Sequence, residues 1–102
     1  MSNFIAYHGG KKFESSAEDA AYMAKWRAWI GALGEALVNP GTPLGKSKTV
    51  SANGVADGGG ANPLTGYSIV QALSLDAAVE MAKGCPHLEH GAIEVAEVWT
   101  WP

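Results

Sequence analysis

The chain has 102 residues, a net charge of −3 and a hydrophobic fraction of 47%, which suit one folded domain over residues 1–102. Its basic residues are scattered, so the clustered charge that binds nucleic acid is missing, and no apolar run has the form of a signal peptide or a membrane span. One cysteine cannot form an internal disulfide, so we expect a soluble protein of the reducing cytoplasm.

The first part of the chain predicts a strand and then a long helix. Residues 3–8 alternate with apolar side chains on both faces, and Gly9-Gly10 ends the strand. A helix follows from about Ser16, with Asp19 completing a variant of the capping box. Its apolar residues recur at steps of three and four, which is the spacing of one helical stripe: Met23, Trp26, Ile30, Leu33 and Leu37. Pro40 ends the helix.

A hairpin and a glycine-rich loop are predicted next. Residues 44–52 are polar enough for an edge strand that is protected by lysines, and Asn53-Gly54 is a favoured two-residue turn. The chain returns through residues 55–57. Three glycines and Pro63 then exclude regular structure over residues 58–63, so we expect a mobile loop there that serves as a lid.

The last part of the chain predicts a strand, a helix and a strand. Residues 64–73 alternate as a strand, and Ser74 caps a helix over residues 75–83 that ends at Gly84. Residues 91–101, rich in β-branched and aromatic side chains, form the final strand.

This order of elements is that of an α+β fold of the ferredoxin-like βαββαβ type, with an antiparallel sheet. Two helices cover only one face of such a sheet, yet the strands carry apolar residues on both faces. Soluble monomers rarely expose so large an apolar surface. We therefore expect a homodimer in which two sheets pair face to face.

Several stretches resemble the YCII-related family, whose members carry an Asp-Gly-Pro-Phe motif and belong to the dimeric α/β-barrel proteins. They cover most of the chain in the right order: Met23–Trp26 with Trp29, Gly41–Gly45, Lys48–Val50, Gly66–Ile69, Leu75–Ala78, Ala82–Pro86 and Gly91–Glu97. This chain departs from the name-giving motif, because Asp57-Gly58 is followed by Gly59-Gly60 instead of Pro-Phe. The resemblance carries over the carboxylate but not the aromatic ring.

His8 and Asp57 are the candidate catalytic residues. His8 ends the first strand and Asp57 precedes the glycine loop, and in a ferredoxin-like sheet these ends can lie near one another. A histidine oriented by a carboxylate is a common general base near neutral pH, and the resemblance implies such a dyad for some members of the wider family. The simpler interpretation is a strand-end histidine and a turn-forming aspartate.

Aromatic residues on the inner face of the first helix suggest an apolar ligand pocket between helix and sheet. Tyr22, Trp26 and Trp29 follow one another at steps of four and three, and Tyr67 would complete the wall from its strand. The alternative is that these rings only fill the core.

Other motifs point to no metal and no cofactor. Cys85, His87 and His90 match no common zinc spacing, so we expect a polar surface loop with Cys85 as a small buried residue. The glycine runs at residues 9–10 and 58–60 are not followed at once by helices, as phosphate-binding loops require.

Two functions remain open. The first is a small-molecule enzyme doing metal-free proton-transfer chemistry, of the isomerase or lyase type, with His8 as base and Asp57 as its partner. The second is a non-catalytic dimeric module that binds a ligand or supports a partner protein. An oxygenase-like role rests on fold analogy alone.

Overall fold

The elements of the fold follow from a computed structural model that describes residues 2–9, 16–60 and 63–99, without the side chains of residues 16–19. The strands are β1 (Ser2–Gly9), β2 (Leu37–Pro43), β3 (Lys48–Ser51), β4 (Gly54–Asp57), β5 (Leu64–Gln71) and β6 (Gly91–Glu97). The helices are α1 (Ser16–Leu33) and α2 (Leu75–Ala82), with short 3-10 helices at Gly34–Ala36 and Pro86–Glu89.

The main sheet has the order β2-β5-β1-β6, and every pair in it is antiparallel. This is the predicted ferredoxin-like arrangement, in which the first strand and the third strand of the βαββαβ unit lie at the centre. Strands β3 and β4 form a separate two-stranded sheet inserted between β2 and β5. The α+β fold class expected from the sequence is therefore confirmed.

The two faces of the sheet differ in what covers them. Alternation along β1 directs Ile5 and Tyr7 to the side of the helices, where they join Val70 of β5 in the core. Phe4 lies on the opposite face, and its ring stacks on that of Tyr67 with centroids 5.7 Å apart. The helices thus bury one face and leave aromatic side chains on the other.

Helix α2 begins and ends close to its predicted bounds. The side-chain oxygen of Ser74 accepts a hydrogen bond from the backbone N–H of Ala77 at 3.1 Å, which confirms the predicted cap. Trp29 of α1 is buried and donates from Nε1 to the carbonyl of Met81 at 3.0 Å. This bond ties the two helices together.

The end of α1 differs from the prediction, which extended one helix to Leu37. The helix ends at Leu33, and Gly34, with φ of +54°, turns the chain out of the helical path. Leu37 belongs to β2, from which it still packs against the core. The apolar spacing continued to Leu37 although the helix does not, because a helix residue and a strand residue pack against the same core.

The hairpin was predicted, but its place in the sheet was wrong. The edge strand of the main sheet is β2, whereas β3 pairs only with β4, and the loop consists of Ala52 and Asn53 because Gly54 pairs with Ser51. The Gly58 N–H donates to the carbonyl of Ser47 at 2.8 Å and closes the base of the hairpin. Every side chain of β3 and β4 is exposed.

Some expectations concern parts of the chain outside the described residues. These are the end of the glycine loop at Ala61 and Asn62, Gly10 and Trp101, and the capping side chains of Ser16 and Asp19. Among the helices of the described ranges, none is long and apolar enough to cross a membrane.

Candidate functional site

A cavity of about 940 Å³ lies between α1 and the β2–β5–β1 part of the sheet. Its lining combines aromatic and aliphatic side chains with prolines, three small hydroxylated residues and two histidines: Tyr7, Gly9, Tyr22, Met23, Trp26, Trp29, Ile30, Pro40, Gly41, Thr42, Pro43, Pro63, Thr65, Gly66, Tyr67, Ser68, His87 and His90. This lining, drawn from the described part of the chain, contains no lysine, arginine, aspartate or glutamate. The cavity favours a largely apolar, uncharged ligand.

The cavity uses part of the apolar stripe of α1. Trp29 packs into the core, but Met23 and Ile30 remain 50% and 37% exposed although both belong to the stripe. Both side chains line the cavity instead. The stripe therefore has two structural roles. Its inner residues pack the helix against the sheet, and its outer residues, Met23 and Ile30, form part of the cavity wall.

The predicted wall residues Tyr22 and Trp26 line this cavity. The Trp26 ring meets Tyr7 and Trp29 edge to face, with centroids 5.3 and 5.6 Å apart, and Tyr22 packs edge to face on Trp26 at 6.1 Å. These contacts fix the rings in one arrangement. Tyr67 also lies in the lining, but its ring stacks on Phe4 on the other face of the sheet, so it does not extend the aromatic wall of α1.

A buried chain of hydrogen bonds crosses the inner wall of the cavity. The hydroxyl of Ser68 donates to the carbonyl of Pro40 at 2.8 Å, and since it has only one proton, Tyr7 must donate to Ser68 across their 2.7 Å contact. The Cys85 thiol lies close to the Tyr7 hydroxyl. Burial raises the pKa of Tyr7 and raises the pKa of Cys85 to about 11, so both groups stay protonated at neutral pH.

The segment from Cys85 to His90 is not the polar surface loop that its composition suggests. Cys85, Pro86 and His87 are buried, which confirms the expectation for Cys85 and corrects that for His87. The Nε2 atom of His87 lies 2.9 Å from the carbonyl oxygen of His8, and its ring packs against Tyr7. His90 lies at the same cavity, against the ring of Tyr22.

The structure does not bring His8 and Asp57 together within one chain. Nε2 of His8 lies 3.1 Å from the carboxylate of Glu94, its diagonal neighbour on β6, while Asp57 is 92% exposed on β4 and pairs with Lys48 at 3.2 Å. The hairpin that carries Asp57 is separate from the sheet that carries His8. No local pattern indicates this insertion, because two strands and a tight turn fit the main sheet equally well.

A metal site is not formed by the residues that the structure describes. Cys85, His87 and His90 are near one another in sequence, but no group of three or more histidine, cysteine or carboxylate side chains in the described ranges is placed to hold an ion. The arrangement of the cavity instead suits hydrogen bonding and proton transfer by imidazole.

The family model of the YCII-related domain matches residues 4–102, which is nearly the whole chain. The protein belongs to the YCII-related family. No curated protein matches its sequence. Among solved structures, it is similar to 5-chloro-2-hydroxyhydroquinone dehydrochlorinase (TftG) from Burkholderia phenoliruptrix AC1100 in complex with 2,5-dihydroxybenzoquinone. The TM-score is 0.56 over 96% of this chain and 93% of that chain, and the identity of 19% limits the likeness to the fold.

In this YCII-related chain, Asp57 and Gly58 close the hairpin. Asp57 ends β4 and pairs with Lys48 of β3, and the carbonyl of Gly58 accepts a hydrogen bond from Thr49 Oγ1 at 2.7 Å. In one chain, therefore, Asp57 and Gly58 have structural partners. Neither residue is part of the cavity lining.

Three of the polar residues that line the cavity were not predicted as site residues, namely Tyr7, Ser68 and His87. For Tyr7 the available signal is the alternation of β1, which places its side chain on the face opposite to that of His8. Ser68 and His87 gave no signal of their own. Their roles depend on contacts with residues about 60 and 80 positions away.

Proposed function

We propose that this protein is a small-molecule enzyme that moves a proton on an uncharged ring compound, in a reaction of the isomerase or lyase type. The observation that carries the proposal is the cavity of about 940 Å³ with an aromatic wall and two histidines in its lining. Such a reaction requires a site that excludes water, a wall that orients the ring and a positioned base.

The chemistry of the lining supports a flat, neutral ligand. Edge-to-face packing keeps the rings of Tyr7, Tyr22 and Trp26 in place before any ligand binds. A ring compound that enters this space buries apolar surface without having to order the wall, which favours affinity. A charged ligand would find no described side chain of opposite charge in the lining.

The likeness to TftG adds a second, weaker argument. Its name is that of a dehydrochlorinase, and the compound bound to it is a hydroxylated quinone. A hydroxylated six-membered ring would suit the aromatic wall of the present cavity. The fold analogy raises this class of ligand above others and leaves the reaction to experiment.

His8 and Asp57 remain candidates only in a larger assembly. Within one chain the carboxylate next to His8 is that of Glu94, so Asp57 would have to reach the His8 of a second copy in order to orient it. Such a dyad predicts that Asp57→Asn and His8→Ala each lower turnover and that the double variant loses little more than His8→Ala alone. Additive losses would contradict it.

The test of the cavity is ligand binding by a matched pair of tryptophan variants. We expect Trp26→Leu to weaken the binding of hydroxylated naphthalenes by about tenfold, since stacking and buried area are both lost. Trp99→Leu is the control, because Trp99 is 81% exposed and is not part of the cavity lining. Equal affinities of the two variants and the wild-type protein would refute a ligand site at the wall.

A non-catalytic ligand-binding module is the second candidate, and the separation of His8 from Asp57 favours it. Both functions require the cavity, so binding alone does not distinguish them. The distinction lies in turnover: a module returns every bound compound unchanged, whereas the enzyme speeds the exchange of a carbon-bound proton of its ligand with deuterated solvent above the rate without protein.

We also propose that two copies pair through the face of the sheet that the helices leave open. The register places Phe4, Tyr67 and Ile69 on this face, where they are only partly buried. Covering these side chains would remove a contiguous apolar surface from water, which is the physical reason for pairing.

A further inference from the structure

The hydrogen bonding of His87 fixes its tautomer. A carbonyl oxygen can only accept, so the 2.9 Å contact between His87 Nε2 and the carbonyl oxygen of His8 requires a proton on Nε2. In the neutral ring the other nitrogen, Nδ1, then carries a lone pair. Among the residues that the structure describes, Nδ1 has no hydrogen-bond partner, and it is not sealed from solvent.

The position of this nitrogen is unusual for a buried histidine. The residue is only 7% exposed, yet it lines the cavity, which is the space through which solvent or a ligand reaches it. Its ring is held on one side by Tyr7, with centroids 5.3 Å apart, and at one end by the β1 backbone. An imidazole whose Nδ1 atom has no described partner is thus held at the wall of a ligand-sized space.

We propose that Nδ1 of His87 is the base of this cavity and accepts the hydroxyl proton of a bound ring compound, a phenol or an enol. The inference rests on the proposed function, because it requires that a ring compound occupies the cavity. It adds the catalytic residue and the substrate class: a flat, neutral ring with a hydroxyl group that reaches His87.

The proton transfer is balanced by the ligand and the imidazole alone. The O–H bond of the ligand breaks, its electron pair stays on oxygen, and a new N–H bond forms at Nδ1. The imidazolium then carries two N–H groups, of which Nε2–H still donates to the carbonyl of His8. That carbonyl stabilises the positive ring and keeps its orientation, as an orienting group does for other catalytic histidines.

The other polar side chains of the inner wall are engaged in bonds within the chain. The proton of Tyr7 is given to Ser68, and that of Ser68 to the carbonyl of Pro40. Thr65 Oγ1 lies 3.1 and 2.9 Å from the carbonyls of Tyr7 and Gly9, and its single proton is shared between them. Hydroxyl oxygens are also weak bases, so an imidazole is the group in this lining that is suited to remove a proton.

The experiment compares two probes, 2-naphthol and 2-methoxynaphthalene, whose oxygen carries a proton in the first and a methyl group in the second, by fluorescence titration at neutral pH. A cavity without a hydrogen-bond acceptor would prefer the ether, because its methyl group adds apolar surface. With Nδ1 as the acceptor, we expect 2-naphthol to bind about fivefold more tightly than the ether. Because excited 2-naphthol is a stronger acid, emission from the bound naphtholate would report transfer of the proton.

Two substitutions of His87 each remove the function of one ring nitrogen and keep that of the other. In His87→Gln the amide N–H takes the place of Nε2–H, so the bond to His8 is kept and the acceptor at the δ position is lost. In His87→Asn the amide oxygen takes the place of Nδ1, so the acceptor is kept and the bond to His8 is lost. We expect the glutamine variant to lose the preference for 2-naphthol and the naphtholate emission, and the asparagine variant to keep part of the preference.

The outcomes separate this inference from the proposed function. If wild-type protein binds both probes equally, or prefers the ether, His87 is not the acceptor while the ligand cavity stands. If neither probe binds, the proposed function fails and the inference fails with it. The wild-type comparison needs no variant, so a failure of either variant to fold leaves the test decisive. A long-range proton–nitrogen correlation spectrum that places the proton on Nδ1 of the free protein would also overturn the inference.

Discussion

Gly41 in β2 occupies a position where a methyl group cannot fit, and Gly41→Ala is therefore a sharp test of how the cavity wall is built. Its φ is +70°, in the left-handed region, and a Cβ added there would lie 1.7 Å from the carbonyl oxygen of Tyr67. The obstacle is backbone of the neighbouring strand, which cannot rotate away. Strand β2 must therefore move away from β5 by more than an ångström.

The expected cost has two parts. The left-handed backbone costs alanine roughly 1–2 kcal/mol relative to glycine. Moving β2 away weakens the hydrogen bonds nearest to Gly41, at about 1 kcal/mol each, and we take two of them as disturbed. The free energy of unfolding should thus fall by about 3–4 kcal/mol. For a domain of this size, such a loss lowers Tm by roughly 12 °C or more.

Substitutions at two other glycines distinguish the backbone contribution from the contribution of the β2 displacement. The free energies of unfolding are measured by urea denaturation followed by tryptophan fluorescence. Gly34 also has a positive φ, of +54°, but a Cβ there meets nothing within 4 Å, so Gly34→Ala should cost only about 1–2 kcal/mol. Gly31 lies inside α1 with open space around it, and Gly31→Ala should stabilise the protein by about 1 kcal/mol. If Gly41→Ala cost no more than Gly34→Ala, the close approach of β2 to β5 would be refuted.

Three further predictions concern the core and the open face. Tyr7→Phe should lower the free energy of unfolding by about 1 kcal/mol, and Ser68→Ala by more, since it leaves both the buried Tyr7 hydroxyl and the Pro40 carbonyl unpaired; equal losses would contradict the assigned donor order. Burial raises the pKa of Cys85 from 9.0 to about 11, so the unfolded thiol ionises first and stability falls as the pH rises from 9 to 11. Cys85→Ala should flatten this part of the pH profile of unfolding, and an unchanged slope would argue against it. Ile69→Lys should convert the proposed dimer to a monomer in size-exclusion chromatography with light scattering, and a surviving dimer would exclude pairing through this face.

Local signals in the sequence were sufficient for most of the fold. The alternation in β1 and the cap at Ser74 each depend on neighbouring residues, and each was predicted correctly. The strand at Leu37–Pro43 was missed for a physical reason. Leu37 continues the apolar spacing of α1 while belonging to another element, and Pro40 reads as a helix end although edge strands tolerate proline.

The candidate site was predictable only on its helical side. Tyr22 and Trp26 were identified because a helix presents its residues at fixed steps, and the structure places both at the cavity. The opposite side of the cavity, which carries His87, depends on the path of the chain after Gly84. There the Pro86–Glu89 helix brings His87 against the β1 backbone. No spacing rule specifies a contact between residues 8 and 87. The same limit explains why His8 and Asp57 were predicted as a pair although they lie in separate sheets.

The wall and the proposed base belong to different elements, and this makes their contributions separable. Trp26 lies on α1 and His87 on the 86–89 helix, and the two elements are joined by the ion pair of Lys25 with Glu89 at 3.0 Å. The wall contacts the face of a ring, whatever its substituent, so Trp26→Leu should weaken 2-naphthol and 2-methoxynaphthalene by the same factor. The base contacts only the hydroxyl, so His87→Gln should change the ratio of the two affinities. A change of the ratio in the tryptophan variant would mean that the hydroxyl points to α1, and the acceptor would then have to be sought there.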